Sequence, residues 1–286
     1  MNLLQLSTMN LLQLAPGVAV AVASLGLAAL AAEDRPVIEA RPERPRYELP
    51  ADPKAPVVVL DYKGGFTPPV KNDEPSLVIR ADGTVVLGDK FGMFAPAQGK
   101  LAPDELQDLL RFLLVEQKLA QFDDQSVRKA IAAATKPGQP LIAIADAATT
   151  ELTIHADGKT VTISRYALDF EASQLPTVEP LQQALAAQKR LERLRSEIYA
   201  GGNEAVAKYV ALANAELKRQ QPDFPPLSAE DMQNARRMAN GELRLTFQRV
   251  EEPVDGRRRF TAAQIVAPAV GKPTVRVDAQ VLDAGR

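Results

Sequence analysis

The residues of this chain that could do chemistry are few and scattered. His155 is the only histidine. It stands beside an Asp157-Gly158 turn, and a triad built on it would need a serine and a carboxylate converging on the imidazole. No Gly-x-Ser-x-Gly turn lies near it to present such a serine, and a histidine without partners is a weak metal ligand. The spacing predicts a surface histidine flanking a turn. Asp123 and Asp124 are adjacent carboxylates, but a calcium loop needs alternating oxygen ligands and a Gly at the bend. Capping of a following helix, by Asp124 or Ser126, is the expected role. Asp82 and Asp157 would form an acid/base pair only if two hairpins packed side by side, and their Asp-Gly turns already account for them. Gly64-Gly65-Phe66-Thr67-Pro68-Pro69 lacks the Lys-Ser/Thr pair and the following helix of a phosphate loop. Arg257-Arg258-Arg259 reads as a solvated hairpin tip. No catalytic, cofactor-binding or metal-ligating residue is assigned, no cofactor is expected, and the reading leans away from an enzyme.

Composition narrows the classes further. The formal charge is −2 over 286 residues, so there is no basic excess to hold nucleic acid. Cysteine is absent, which removes zinc-thiolate sites, thiol nucleophiles and disulfides, and leaves stability to the core. Tryptophan is also absent, which weakens the case for a carbohydrate-stacking platform.

The N-terminal segment carries the one functional direction. Leu11 to Ala32 is uncharged and apolar, ends in Ala-Leu-Ala-Ala, and turns polar at Glu33-Asp34-Arg35-Pro36. Ala29 and Ala31 supply the small residues that a signal peptidase accepts, predicting cleavage after Ala31. Pro16-Gly17 leaves an apolar core from Val18 to Ala31, short of the about 20 residues of a membrane span. No Lys or Arg precedes the run, and MNLLQL at 1–6 recurs at 9–14, which makes Met9 an alternative start. An uncleaved N-terminal membrane anchor is the alternative. No Cys follows the run, so a lipoprotein anchor is excluded.

Beyond it, residues 32–55 are Pro-rich and charged and predict a linker. Val57–Asp61 predicts a strand stopped by Gly64-Gly65. Ser76–Arg80 and Thr84–Leu87 flank Asp82-Gly83, and Leu152–His155 and Thr160–Ser164 flank Asp157-Gly158. Both predict hairpins, because Gly supplies the positive φ such turns need. The two hairpins resemble each other over Leu77–Thr84 and Leu152–Lys159, by turn chemistry or by a diverged duplication. Pro103, Asp104 and Glu105 open a helix whose Leu106, Leu109, Leu110, Leu113 and Leu114 share one face. A second short helix is expected to Ala134, and a strand over Leu141–Ile144. A long helix from Val178 to Tyr199 ends at Gly201-Gly202, the expected domain boundary. A helix over Glu204–Arg219 follows, then a helix from Ser228 to Met238. Strands are expected over Leu243–Val250, Arg259–Val266 and Thr274–Val281, the first pair joined around Asp255-Gly256.

The predicted class is α+β: antiparallel hairpins packed against helices, in two domains at 56–200 and 203–286, after a signal peptide (1–31) and the linker. Gly64-Gly65-Phe66, Ala81-Asp82-Gly83-Thr84, Leu101–Leu110, Phe122-Asp123-Asp124 and Asp157-Gly158 together resemble a class of exported bacterial proteins of unknown function. The resemblance covers residues 57–199 and implies no activity. Separately, Gln264-Ile265-Val266-Ala267-Pro268 resembles the Gln-x-Val-x-Gly hairpin motif of cystatin inhibitors. Pro268 stands where that family has Gly, and proline cannot make the positive-φ bend. The expectation is an exported protein (periplasm, cell envelope or extracellular) acting as a non-enzymatic binding or structural module, with an unknown protein or envelope component as partner. A carboxylate-dependent hydrolase and a cystatin-like protease inhibitor are the alternatives.

Overall fold

The computed structural model of the chain describes residues 46–65, 73–135, 144–251 and 257–283. The export segment, the Asp255-Gly256 turn and Leu141–Ala143 of the expected strand lie outside them. The fold is α+β, and the described residues form one compact unit. A six-stranded antiparallel sheet is built from the strands 97–100, 84–87, 77–80, 56–63, 149–156 and 159–166 in that order across it, and a four-stranded antiparallel sheet from the strands 274–283, 257–267, 243–250 and 232–237.

Strand β1 (Pro56–Lys63) sits inside the first sheet, paired with β2 (Leu77–Arg80) on one side and β5 (Thr149–Ala156) on the other. Its apolar run suits that place, since Val57, Val58 and Leu60 are all fully buried. The two hairpins therefore flank β1. Their Asp-Gly turns differ. Between β2 and β3 (Thr84–Leu87) only Gly83 has positive φ, +82°, and Asp82 accepts bonds from the Thr84 N–H and hydroxyl at 2.8 and 2.9 Å. Between β5 and β6 (Lys159–Tyr166) both Asp157 and Gly158 are left-handed, at 52° and 65°, the signature of a two-residue type I′ turn. Strand β4 (Ala97–Lys100), unforeseen in the sequence, adds to β3.

Helix α1 (Pro103–Arg111) runs into a π-helical turn (Phe112–Glu116). The Glu105 carboxylate accepts from the Ala102 N–H at 2.7 Å, and all five predicted leucines of the stripe are buried. Helix α2 (Asp124–Ala134) is capped by Asp123, whose carboxylate accepts the Ser126 N–H at 2.8 Å, one residue before the expected cap. Helix α3 (Leu168–Gln174) leads into α4 (Glu179–Ala200), which buries residues on more than one side because it contacts both sheets. The left-handed Gly201 (φ 100°) turns the chain into α5 (Asn203–Gln220), which packs on β9 (Arg257–Ala267) and β10 (Thr274–Asp283). The expected boundary is this helix–helix turn, and one continuous core draws side chains from both sides of it.

Two expectations are corrected. The segment after Ser228 is not a helix to Met238. Ser228 opens a single 3-10 turn (Ala229–Asp231), and the chain then enters β7 (Met232–Arg237) beside β8 (Leu243–Val250). A bulge between Met232 and Asn234 breaks the two-residue alternation and buries Met232 and Ala235. That three-residue spacing imitates a helix, while the ladder to β8 supplies the stabilisation. The end of the predicted linker is also no loose tether. Tyr47 exchanges two hydrogen bonds with the Gln107 side chain, and Glu48 and Pro53 bond the two Asp-Gly turns. Among the described residues no helix is long and apolar enough to cross a membrane.

Candidate functional site

Each residue singled out in the sequence does a local job. His155 is half-exposed on β5, its Nδ1 2.9 Å from the Thr160 hydroxyl. The Asp82 and Asp157 turns lie at the same end of the sheet, separated by residues 46–55. Asp82 is held by Thr84 and by Lys100 at 3.1 Å, and the hydrogen bonds from Thr84 lower its pKa to about 2. The Asp157 carboxylate accepts the Glu48 N–H at 2.7 Å. They form no acid/base pair. Gly64 and Gly65 both have positive φ after β1, as a turn requires. Arg257, Arg258 and Arg259 start β9, and Arg259 lies 5.7 Å over the Phe224 ring. Gln264–Ala267 lies within β9, with Ile265 and Ala267 buried, so only Pro268 reaches the turn. That placement does not present the segment as an inhibitory hairpin tip. Among the described residues no group of three His, Asp or Glu side chains is placed to hold a metal.

The structure does assemble a buried polar seam that the sequence did not reveal. Asp61 and Lys90 are each 8% exposed. Lys90 Nζ donates to Asp61 Oδ2 at 2.7 Å and to the Tyr62 carbonyl at 3.2 Å, leaving Asp61 Oδ1 without a partner. The Tyr62 hydroxyl donates to the Glu192 carboxylate on α4. Burial, reinforced by the Glu192 charge, raises the Tyr62 pKa far above the usual phenol range. Three residues along α4, the Arg195 guanidinium lies 6.0 Å over the Phe94 ring and 5.8 Å over that of Tyr199. Gln188, one turn before Glu192, bonds Thr150 and Asp169 at 3.1 and 2.9 Å. These groups face one another across packed elements rather than into a cleft, and their chemistry is that of a joint. The loop from Gly88 to Pro96 carries both Lys90 and Phe94. Its Ala95 N–H bonds the Arg237 carbonyl at 2.8 Å and its Met93 carbonyl accepts from Ala239 at 3.1 Å. The loop thus clasps the two sheets together.

Two clefts carry charge of different kinds. The larger, about 600 Å³, lies between β4, α1, α4 and the start of α5. It holds three carboxylates, as a hydrolase would need, but each is occupied. Glu105 caps α1, Asp108 pairs with Arg111 at 2.8 Å, and Glu197 pairs with Arg193 at 3.0 Å. The second, about 400 Å³, opens on the face of the four-stranded sheet turned away from α4 and α5. Arg236 and Arg244 stand directly opposite there, with Asn234 opposite Thr246 and Gln264 beside Thr246. No Asp or Glu lines it. Its apolar wall is Phe94, Met93 and Met238 from the clasp and the β7 end. The sequence signal for this site was the polar alternation of β8 and β9, but its partner strand β7 was read as helix, which hid the arginine pair. No protein-family model, no curated protein and no solved structure matches this chain.

Proposed function

We propose that this is an exported, non-enzymatic binding module of the cell envelope, resembling exported proteins of unknown function, and that it presents the uncovered face of its four-stranded sheet to a partner. The apolar run before Glu33 supports export. The observation that carries the binding reading is the asymmetry of that sheet. One face buries Leu243, Leu245, Phe247, Ala263 and Ile265 in the core. The opposite face offers Arg244, Gln248, Gln264 and Arg276 to solvent over strands that pair without a break in register from β8 to β10. A sheet needs only one buried face for stability, so the polar face is free to bind.

The test is retention from envelope extract by the purified exported chain, followed by mass spectrometry. The reading expects a retained component that Gln248→Glu/Gln264→Glu loses. Turnover in a broad hydrolase screen would refute it. N-terminal sequencing of the exported form is expected to begin at Ala32, and an intact N-terminus in a membrane fraction would favour the anchor instead.

A further inference from the structure

Resting on the open sheet face as the binding surface, we infer that the pocket between Arg236 and Arg244 receives an anionic group, a phosphate or carboxylate borne on a ligand with an adjoining apolar part. The two arginines are register partners on one face, a placement in which like charges repel and destabilise the pair. A bound anion would reverse the sign of that interaction. Arg244 gives its Nε to Glu242 at 2.6 Å, which fixes the side chain and leaves its terminal amino groups to donate. Among the described residues the Arg236 guanidinium has no hydrogen-bond or ion-pair partner; its contact is the Phe94 ring at 5.6 Å. Stacking on an aromatic ring orients a guanidinium without consuming its donors. Two guanidinium forks over one pocket suit a phosphate or carboxylate, whose oxygens accept paired bonds.

The rest of the lining fits the same ligand. Asn234, Thr246 and Gln264 add neutral polar groups beside the arginines, and Met93, Met238 and Phe94 form an apolar wall. The larger cleft carries carboxylates in its lining, whereas this one has none, so its charge is complementary to an anion. Arg195 lies over the same Phe94 ring, its own charge matched by Glu192 at 3.6 Å.

The test is a titration of the full chain, labelled with ¹⁵N, with inorganic phosphate and with phenyl phosphate, followed by backbone amide shifts. Saturable shifts are expected at Asn234, Thr246 and Gln264, with phenyl phosphate the tighter binder. Arg236→Gln/Arg244→Gln is expected to weaken binding by about tenfold or more, and Arg236→Lys/Arg244→Lys by less. Arg190→Gln, in the larger cleft, is expected to leave it unchanged. Absence of saturable shifts at these amides, or equal weakening by Arg190→Gln, overturns the inference. Retention on phosphatidylglycerol but not phosphatidylcholine vesicles, competed by phenyl phosphate, would assign the anion to a lipid headgroup. Phenyl phosphate binding without vesicle retention would assign it to a soluble or polymer-borne anion, and either result sustains the site. An envelope component retained through Gln248 and Gln264 without anion binding would overturn this inference alone. Anion binding with no retained component would leave the site standing and remove the binding-module reading.

Discussion

The buried seam and the open sheet face both concentrate charge, yet they use it in opposite ways. At the seam, Lys90 meets Asp61 with both side chains buried, and Tyr62 meets Glu192 where both are half-buried. Every charge there has a counterpart, because an unpaired ion in that environment would cost several kcal/mol (~3–5). On the open face, Arg236 and Arg244 oppose each other in solvent with one flanking glutamate between two cations. Solvent screening makes that repulsion tolerable. Matched and buried charge holds this fold together, whereas unmatched and exposed charge is what remains available to a ligand. The larger cleft belongs with the seam in this respect despite its volume, since its carboxylates are already engaged.

The contrast can be broken at either end. Lys90→Ala strands Asp61 without its cation and is expected to destabilise by about 3–5 kcal/mol, read as a fall in the urea midpoint. Asp61→Leu/Lys90→Met should recover most of that loss, and a double variant as unstable as the single would sink the ion-pair account. Gly83→Ala comes next. At φ +82° an alanine is strained, and its Cβ would stand 2.4 Å from the Leu101 carbonyl oxygen, so a loss of about 1–3 kcal/mol is expected in the same assay. Tyr62 gives a pH test. Its pKa is raised in the fold, so the unfolded chain loses this proton first as pH climbs past about 10. The stabilisation is full below that pH and declines above it, by up to about 1.4 kcal/mol per pH unit. Tyr62→Phe should flatten this alkaline limb, and an unchanged slope would contradict the buried phenol. At the open face, Arg236→Gln/Arg244→Gln should shift stability by less than about 0.5 kcal/mol. A large loss would move those arginines from the binding account to the structural one.

Much of the fold was legible locally. Asp82-Gly83 and Asp157-Gly158 announced both hairpins, the leucine stripe gave α1, and period-two alternation gave β8, β9 and β10 nearly to their ends. What failed were features decided by distant partners. β7 is a strand because β8 pairs with it, and its bulge left a helix-like spacing of buried residues. β4, Ala-Gln-Gly-Lys, has almost no strand propensity and depends on β3. The candidate site was hidden for the same reason, since Arg236 and Arg244 become neighbours only once β7 is a strand. The Asp61–Lys90 pair left one trace, a carboxylate ending the apolar run of β1, but nothing local named the lysine that would answer it.

The most direct test of the account is site-specific photo-crosslinking in the producing cell. A photo-reactive residue is placed at Gln264 on the open sheet face or at Lys189 on the exposed side of α4. The account predicts a discrete crosslinked product from position 264 that Arg236→Gln/Arg244→Gln diminishes, and none from position 189. A product from position 189 alone would contradict it, and would place the working surface of this protein on its helices.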